Sequence, residues 1–477
     1  MAHSQPESNA AAVADDKRPL LLRGAHVVTM TPGRPDWETL DVLVDGQRIT
    51  EIGPGLAAEG ARTLDMSGRI IIPGLINAHL HTWQTALRFL GADWTLPEYL
   101  ANAHGGVGHH YRPDDLFRGT LAGALNQMDH GVTTIGDWSH NCLTPEHADA
   151  AIEALTGTGV RAVFLYGTPY GLRDRPQDVR QIDRLLAGPI AGTDLVSLGL
   201  AIKGPQLSKP EVAIADFRTS AERNLVVSMH QSAGSPGPGW QAITEAGLWG
   251  PLVNIVHGTG LGTGHVEALL AQGVTFTSTP ENELGQGHTT TLPDRLLALG
   301  AAPSLGTDTE TATPADVLFV ARMLLALQRG VGHDAAVAST GLGATTIPVT
   351  AKQALSWATV EGARALGLAD RIGQIAAGMY ADLVVIDARA LNLWPMHDAA
   401  AAALYAHPGN IEAVMVGGVW RKRDGRLTHG GLDAVKDELH TSGQRLAHQL
   451  KFPSVVGKVR QRVVRCVVDR QLRQQVR

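Results

Sequence analysis

The stretch Pro73-Gly-Leu-Ile-Asn-Ala-His-Leu-His81 decides how this chain is read. Leu75 to Ala78 is a short apolar run that predicts a buried strand. His79 and His81 follow, two residues apart. In an extended chain residues i and i+2 point to the same face, so one strand aims both imidazoles into one space. Two such nitrogens are half of a metal site.

Outward from that stretch the same pattern recurs. Gly131 to Asp137, Val160 to Tyr166, Leu195 to Ile202, Leu225 to Met229, Val253 to Val256, Val274 to Thr279 and Ala302 to Leu305 are further apolar, β-rich runs. Their starts lie mostly about 20 to 35 residues apart, the spacing of strand–helix units. Helical periodicity fills the gaps. Thr313-Pro314 predicts a helix start, Val317, Val320, Ala321 and Leu324 form its apolar stripe, and Gly330 is its expected end. Eight units in a row predict an α/β chain built as a (β/α)8 barrel over residues 74–365; a doubly wound open sheet is the rival architecture.

The flanks read differently. Leu20 to Met30, Leu40 to Val44 and Arg48 to Ile52 are strand-like, and Asp45-Gly46 is a hairpin signal. Ala381 to Asp387, Ile411 to Val416 and Val419 to Lys422 are similar. Both ends are expected to share one small β-sandwich, residues 19–73 with 366–430. Residues 1–18 are expected to be a disordered tail. Residues 431–477 are expected to be a helical tail, basic at Lys458, Arg460, Arg462, Arg465, Arg470, Arg473 and Arg477.

Composition narrows the functional classes. The 477 residues carry a formal net charge of −6, with 44% apolar and 18% charged residues. That is enough for a large core and gives no reason to expect nucleic acid or an anionic membrane as partner. Cys142 and Cys466 make no disulfide framework. With neither a signal-peptide pattern nor an apolar run of ~18 residues, the expectation is a cytoplasmic protein.

Three more candidate ligands follow apolar runs directly: His230 after Leu-Val-Val-Ser-Met, His257 after Val-Asn-Ile-Val, and Asp308 after Ser-Leu-Gly-Thr. In a parallel barrel every strand's C-terminal end opens on one face. His79, His81, His230, His257 and Asp308 would therefore converge from strands 1, 5, 6 and 8. Imidazole and carboxylate ligands suit zinc or ferrous iron better than calcium or magnesium.

This order of residues resembles the amidohydrolase superfamily, and more closely its cytosine deaminase and triazine-hydrolase-type branch. The likeness extends to Gly131-Val-Thr-Thr134, Leu305-Gly-Thr-Asp308 and Ile372 to Ile386. It implies one divalent metal, zinc ahead of iron, held by His79, His81, His230 and Asp308. Asp308 would also move the proton, and His257 would stabilise the oxyanion. Two departures stand out. Deaminases of this branch usually carry Glu three residues after the strand-5 histidine; here that residue is Ala233. Glu281, Glu283 and Glu310 are the substitutes near strand ends. Second, Lys203 ends the fourth strand-like run, where a carbamylated lysine bridges two metals in binuclear relatives; otherwise it would contact substrate. Trp83, Trp138, His140, Glu281 and Glu283 are expected at the pocket, beneath a Gly-rich lid carrying His104, His109 and His110.

The expected activity is hydrolysis of a non-peptide C–N bond in a small molecule, of amide, urea or carbamate type. Ring deamination, displacement of halide or thiolate, and metal binding without turnover are the alternatives. The resemblance also implies a homodimer.

Overall fold

The computed structural model describes residues 18–167, 169, 174–234, 236–288, 292–451 and 455–473. The expected N-terminal tail lies outside them except for Arg18. Eight parallel strands, Leu75–Leu80, Val132–Ser139, Arg161–Gly167, Val196–Ile202, Val226–Gln231, Val253–His257, Thr275–Ser278 and Ser304–Leu305, pair in sequence order. All eight apolar runs of the sequence are strands. The sheet closes on itself through a bridge between Leu80 and Asp308. Across that seam the Asp308 amide donates to the His79 carbonyl at 3.0 Å, and the His81 amide donates to the Asp308 carbonyl at 2.7 Å. Gly306 permits the approach: a Cβ there would stand 2.6 Å from the His79 carbonyl oxygen. Asn77 clamps the seam from inside, its amide donating to the Thr307 hydroxyl at 2.7 Å. The ends of strands one and eight are thus fixed to each other before any ligand is considered.

Both flanks of the barrel contribute to a second sheet of nine strands, mostly antiparallel. Its central strands come from opposite ends of the sequence, Arg69–Pro73 beside Leu383–Asp387. Alternation decides which way they bury. Ile70, Ile72, Val384 and Ile386 pack in the main barrel core. Ile71, Leu383 and Val385 enter the separate core of the small sheet. Where sheet meets barrel floor, Arg161, the first residue of strand three, makes a two-pronged pair with Asp382 at 2.7 and 3.1 Å. Its guanidinium also lies 4.3 Å from the Tyr380 ring centroid.

Three local expectations change. The long helix starts at Val317, not after Thr313, because the Asp316 side chain caps it by accepting from the Phe319 amide at 2.9 Å. The Thr313 hydroxyl instead donates to backbone carbonyls of Thr307 and Thr309. The helix also passes through Gly330 and ends at Thr340, where Gly341 takes a left-handed φ of 75°. One interior glycine costs a helix only ~1 kcal/mol, too little to stop this one, whose buried anchor, Val317 to Gln328, precedes it. Finally, the Gly-rich stretch expected as a lid loop is helical, a π-helix over Leu100–Val107 followed by a 3-10 turn.

The C-terminal segment is not a free tail. Helix Leu432–Lys451 docks on helix Pro113–Asp129, with Leu446 fully buried and Arg445 paired to Asp115. Helix Val455–Arg473 crosses the π-helix. Gly105 and Gly106 make room, since a Cβ on either would meet Val464 at 3.1 Å or Gln461 at 2.8 Å. No helix among the described residues is long and apolar enough to cross a membrane.

Candidate metal centre

Each donor arrives on a strand end. His79 and His81 share a face of strand one, His230 lies near the end of strand five, His257 ends strand six, and Asp308 follows strand eight. Two overlapping groups result: His79 with His230 and His257, and His79 with His81 and Asp308, the ligand atoms of each lying within 4.8 Å of one another. The Nε2 atoms of His79 and His230 are 3.2 Å apart. Asp308 Oδ1 stands 3.4 Å from His79 Nε2 and 3.3 Å from His81 Nε2. Tetrahedral zinc with bonds of ~2.0–2.1 Å holds its ligand atoms roughly 3.3–3.4 Å apart, so these spacings fit one ion.

Protonation fits as well. Burial drives His79 down to about 3 and His230 well below its ordinary value, so both imidazoles offer lone pairs. Burial alone would raise Asp308, but its contacts with His79 and His81 and the nearby His257 hold it well below the usual carboxylate range. Neutral imidazoles and an ionised carboxylate are the forms that bind metal. Outer contacts orient the rings. His81 Nδ1 donates to the Trp138 carbonyl at 2.8 Å, leaving Nε2 for the centre. His257 Nδ1 faces the Thr279 hydroxyl at 3.1 Å and Glu283 at 3.4 Å. His257 and Asp308 both have left-handed backbones, with φ of 68° and 57°. Non-glycine residues rarely hold such angles, and when they do they cluster at functional sites.

Above the donors opens a cavity of about 970 Å³ whose inner wall includes His81, His140, Lys203, His230, His257 and Asp308. The other expected pocket residues are placed elsewhere. Trp83 is buried under the mouth, against Tyr111 and His140. Trp138 supports the donors from below: its ring centroid lies 4.1 Å from that of His230, and its Nε1 donates to Ser228. Neither tryptophan lines the cavity: Trp83 sits in a buried 3-10 turn after strand one, and Trp138, within strand two, packs with Ile76, Val163 and Leu165. Glu283 is held by the Thr279 amide and the Ser278 hydroxyl, behind His257. Glu310 pairs with Arg88 and accepts from Asn126. Glu281 is half-buried near Asp316, and burial raises it to about 7. None of the three glutamates lines the cavity.

Three lining histidines, His104, His109 and His288, had no role at the site from the sequence. His104 meets His140 at 3.3 Å, nitrogen to nitrogen, and burial lowers both. His288 contacts the Ser232 hydroxyl at 3.0 Å, its ring 4.7 Å from that of His257. His104 was visible only as part of a Gly-rich run. His288 follows a short helix in a turn and carries no local signal.

Several known proteins are similar to this chain. The chain is 29% identical to a 5-methylthioadenosine/S-adenosylhomocysteine deaminase of Symbiobacterium thermophilum, over 84% of this chain and 92% of that one. It is 26% identical to a 5′-deoxyadenosine deaminase of Methanosarcina mazei, over 90% and 98%. A zinc complex of atrazine chlorohydrolase from Arthrobacter aurescens shares the fold with a TM-score of 0.77 at 21% identity, over 89% and 100%. A zinc-bound adenosine deaminase from Xanthomonas campestris does so at 0.76 and 21%, over 90% and 98%. The profile of the Amidohydrolase family matches residues 70–421. The chain is a hydrolase acting on carbon–nitrogen bonds, and it belongs to the amidohydrolase family.

Proposed function

We propose that this chain uses one divalent metal, zinc ahead of iron, to hydrolyse an amide, urea or carbamate-type C–N bond of a small molecule. His79, His81, His230 and Asp308 would hold the metal, with His257 near enough to join them. When bound, such an ion lowers the pKa of water toward ~7. Asp308 takes the proton from the attacking water and delivers it to the departing nitrogen. His257, oriented by Glu283 and Thr279, faces the carbonyl oxygen and stabilises the charge that develops there. Lys203 and His140, on the wall, contact substrate. The two donor groups share His79, which supports one ion over a lysine-bridged pair.

One observation carries the choice of bond. Ala233 occupies the cavity wall where a ring-protonating glutamate would stand, and none of Glu281, Glu283 and Glu310 reaches the cavity. An amide or urea needs no such group, because protonating the departing nitrogen suffices. Ring deamination is the second reading, favoured by the names of the relatives, which match nearly the whole chain. Its proton would have to come through Asp308, Asp174 or a histidine of the wall. Ammonia and amine release from a panel of amides, ureas, carbamates, adenosine derivatives and amino-triazines separates the two. Turnover confined to the adenosine derivatives or triazines refutes the first reading. Metal content of the purified protein decides one ion against two. Sedimentation tests the expected dimer.

A further inference from the structure

The outer wall of the cavity is made by a part of the chain remote from the barrel. Val456, Val459, Val463 and Val467, on helix Val455–Arg473, line the same cavity as His230 and Asp308. Val459, Val463 and Val467 recur every four residues, so they form one stripe along the helix. They are more than half exposed, which is unusual for a valine row on a docked helix. The other side of that helix is accounted for: Val464 and Gln461 sit on Gly105 and Gly106. Leu96, Tyr99 and Leu100, on elements packed against that helix, line the cavity as well. Between Val459 and Val463 stands Arg460, also on the wall and in no salt bridge among the described residues. The space therefore runs from a polar, metal-binding floor to an apolar wall bearing one cation.

From this juxtaposition we infer that the substrate is elongated and amphipathic: its C–N bond lies at the donors, an apolar limb rests on the valine stripe, and an anionic end, a carboxylate, meets Arg460. This deepens the amide-type reading and rests on it for the reacting bond. The valines supply area, since each methylene removed from water adds severalfold to affinity. Arg460 supplies a preference for the charged end, weakened by salt because the site is open. Helix Val455–Arg473 is in this sense a specificity element.

The test reads binding without turnover. Straight-chain primary alcohols of two to ten carbons, and ω-hydroxy carboxylates of equal length, contain no C–N bond. They are titrated calorimetrically into the full chain loaded with zinc. The expected result is affinity that rises about threefold per added methylene until the wall is filled. The carboxylates should bind several times more tightly than the alcohols in low salt. Val463→Asp flattens the dependence on length for the alcohols, and the milder Val459→Thr reduces it if the first variant misfolds. Arg460→Gln removes the carboxylate preference and leaves the alcohol series unchanged. A flat series in the unaltered chain, or slopes equal in all variants, overturns the inference. So does a Val463→Asp effect on sedimentation mass alone, which would assign the stripe to contact between two copies. Length-dependent binding with no hydrolysis of amides, ureas or carbamates leaves this inference standing and removes the amide reading instead.

Discussion

The floor and the mouth of the barrel each bury a carboxylate, and the two are satisfied in opposite ways. At the floor Asp382 meets Arg161, a permanent cation with a fixed fork of donors, and accepts from the Gly417 amide at 2.7 Å as well. Every oxygen there has a partner that cannot lose its charge. At the mouth Asp308 meets imidazoles, and burial keeps His79 among them neutral. Those nitrogens and oxygens crowd together at metal-ligand spacing with too few protons to go round. One site is closed by the protein itself; the other has the donor set and spacing that a metal ion could fill. Asp216 makes a third case, buried beside one backbone donor, the Gln177 amide at 2.7 Å, and its carboxyl is pushed up to about 7 by burial.

The contrast can be broken in order of effect. His79→Ala is expected to lose both metal and turnover, read by elemental analysis and a rate assay, while the fold survives. Asp308→Asn should keep a circular dichroism spectrum like the parent's yet lower kcat by at least ~10³-fold, since proton transfer goes with it; near-normal rates would remove it from the mechanism. Asp382→Ala should do the reverse. Leaving Arg161 buried and unpaired costs ~3–5 kcal/mol in urea unfolding, with metal content per folded molecule unchanged.

Smaller effects sharpen the picture. Glu283→Gln loosens the orientation of His257 and is expected to cost ~10–100-fold in activity or metal affinity. Asp216→Asn probes the buried acid whose burial outweighs the Gln177 amide and the nearby Lys203. Its folded pKa lies above the unfolded value, so the folded state holds the proton more tightly and stability falls as pH rises between about 4 and 7. The asparagine variant should flatten that decline and gain ~1–2 kcal/mol at pH 8, measured as the difference between urea titrations at pH 5 and 8. An unchanged slope would mean the carboxyl ionises freely in the fold.

Much of this architecture could be read from the chain alone, and the reason is periodicity. Strand alternation placed His79 and His81 together, and the common direction of parallel strands brought His230, His257 and Asp308 to the same end. Both rules act over a few residues, where sequence is informative. What could not be read lies where distant segments meet. Trp138 comes just after the apolar run Gly131 to Asp137 and looks like a pocket residue, yet it belongs to strand two and packs against His230. Glu283 was grouped with the pocket, though it stands behind His257. The basic end of the chain gave no sign that its valines would face the donors, because the fit depends on Gly105 and Gly106, some 350 positions away. The end of the long helix was missed for a different reason: one interior glycine costs only ~1 kcal/mol, and the helix runs past Gly330 to Thr340 although no residue beyond Gln328 is buried.

The positive φ of His257 and Asp308 has an effect on how this protein can be improved. Glycine is the residue most at ease in that backbone geometry. A selection for heat resistance alone would therefore favour glycine at two positions on which the proposed chemistry depends, and would strip out those side chains. Any campaign to toughen this enzyme has to screen for product at every round.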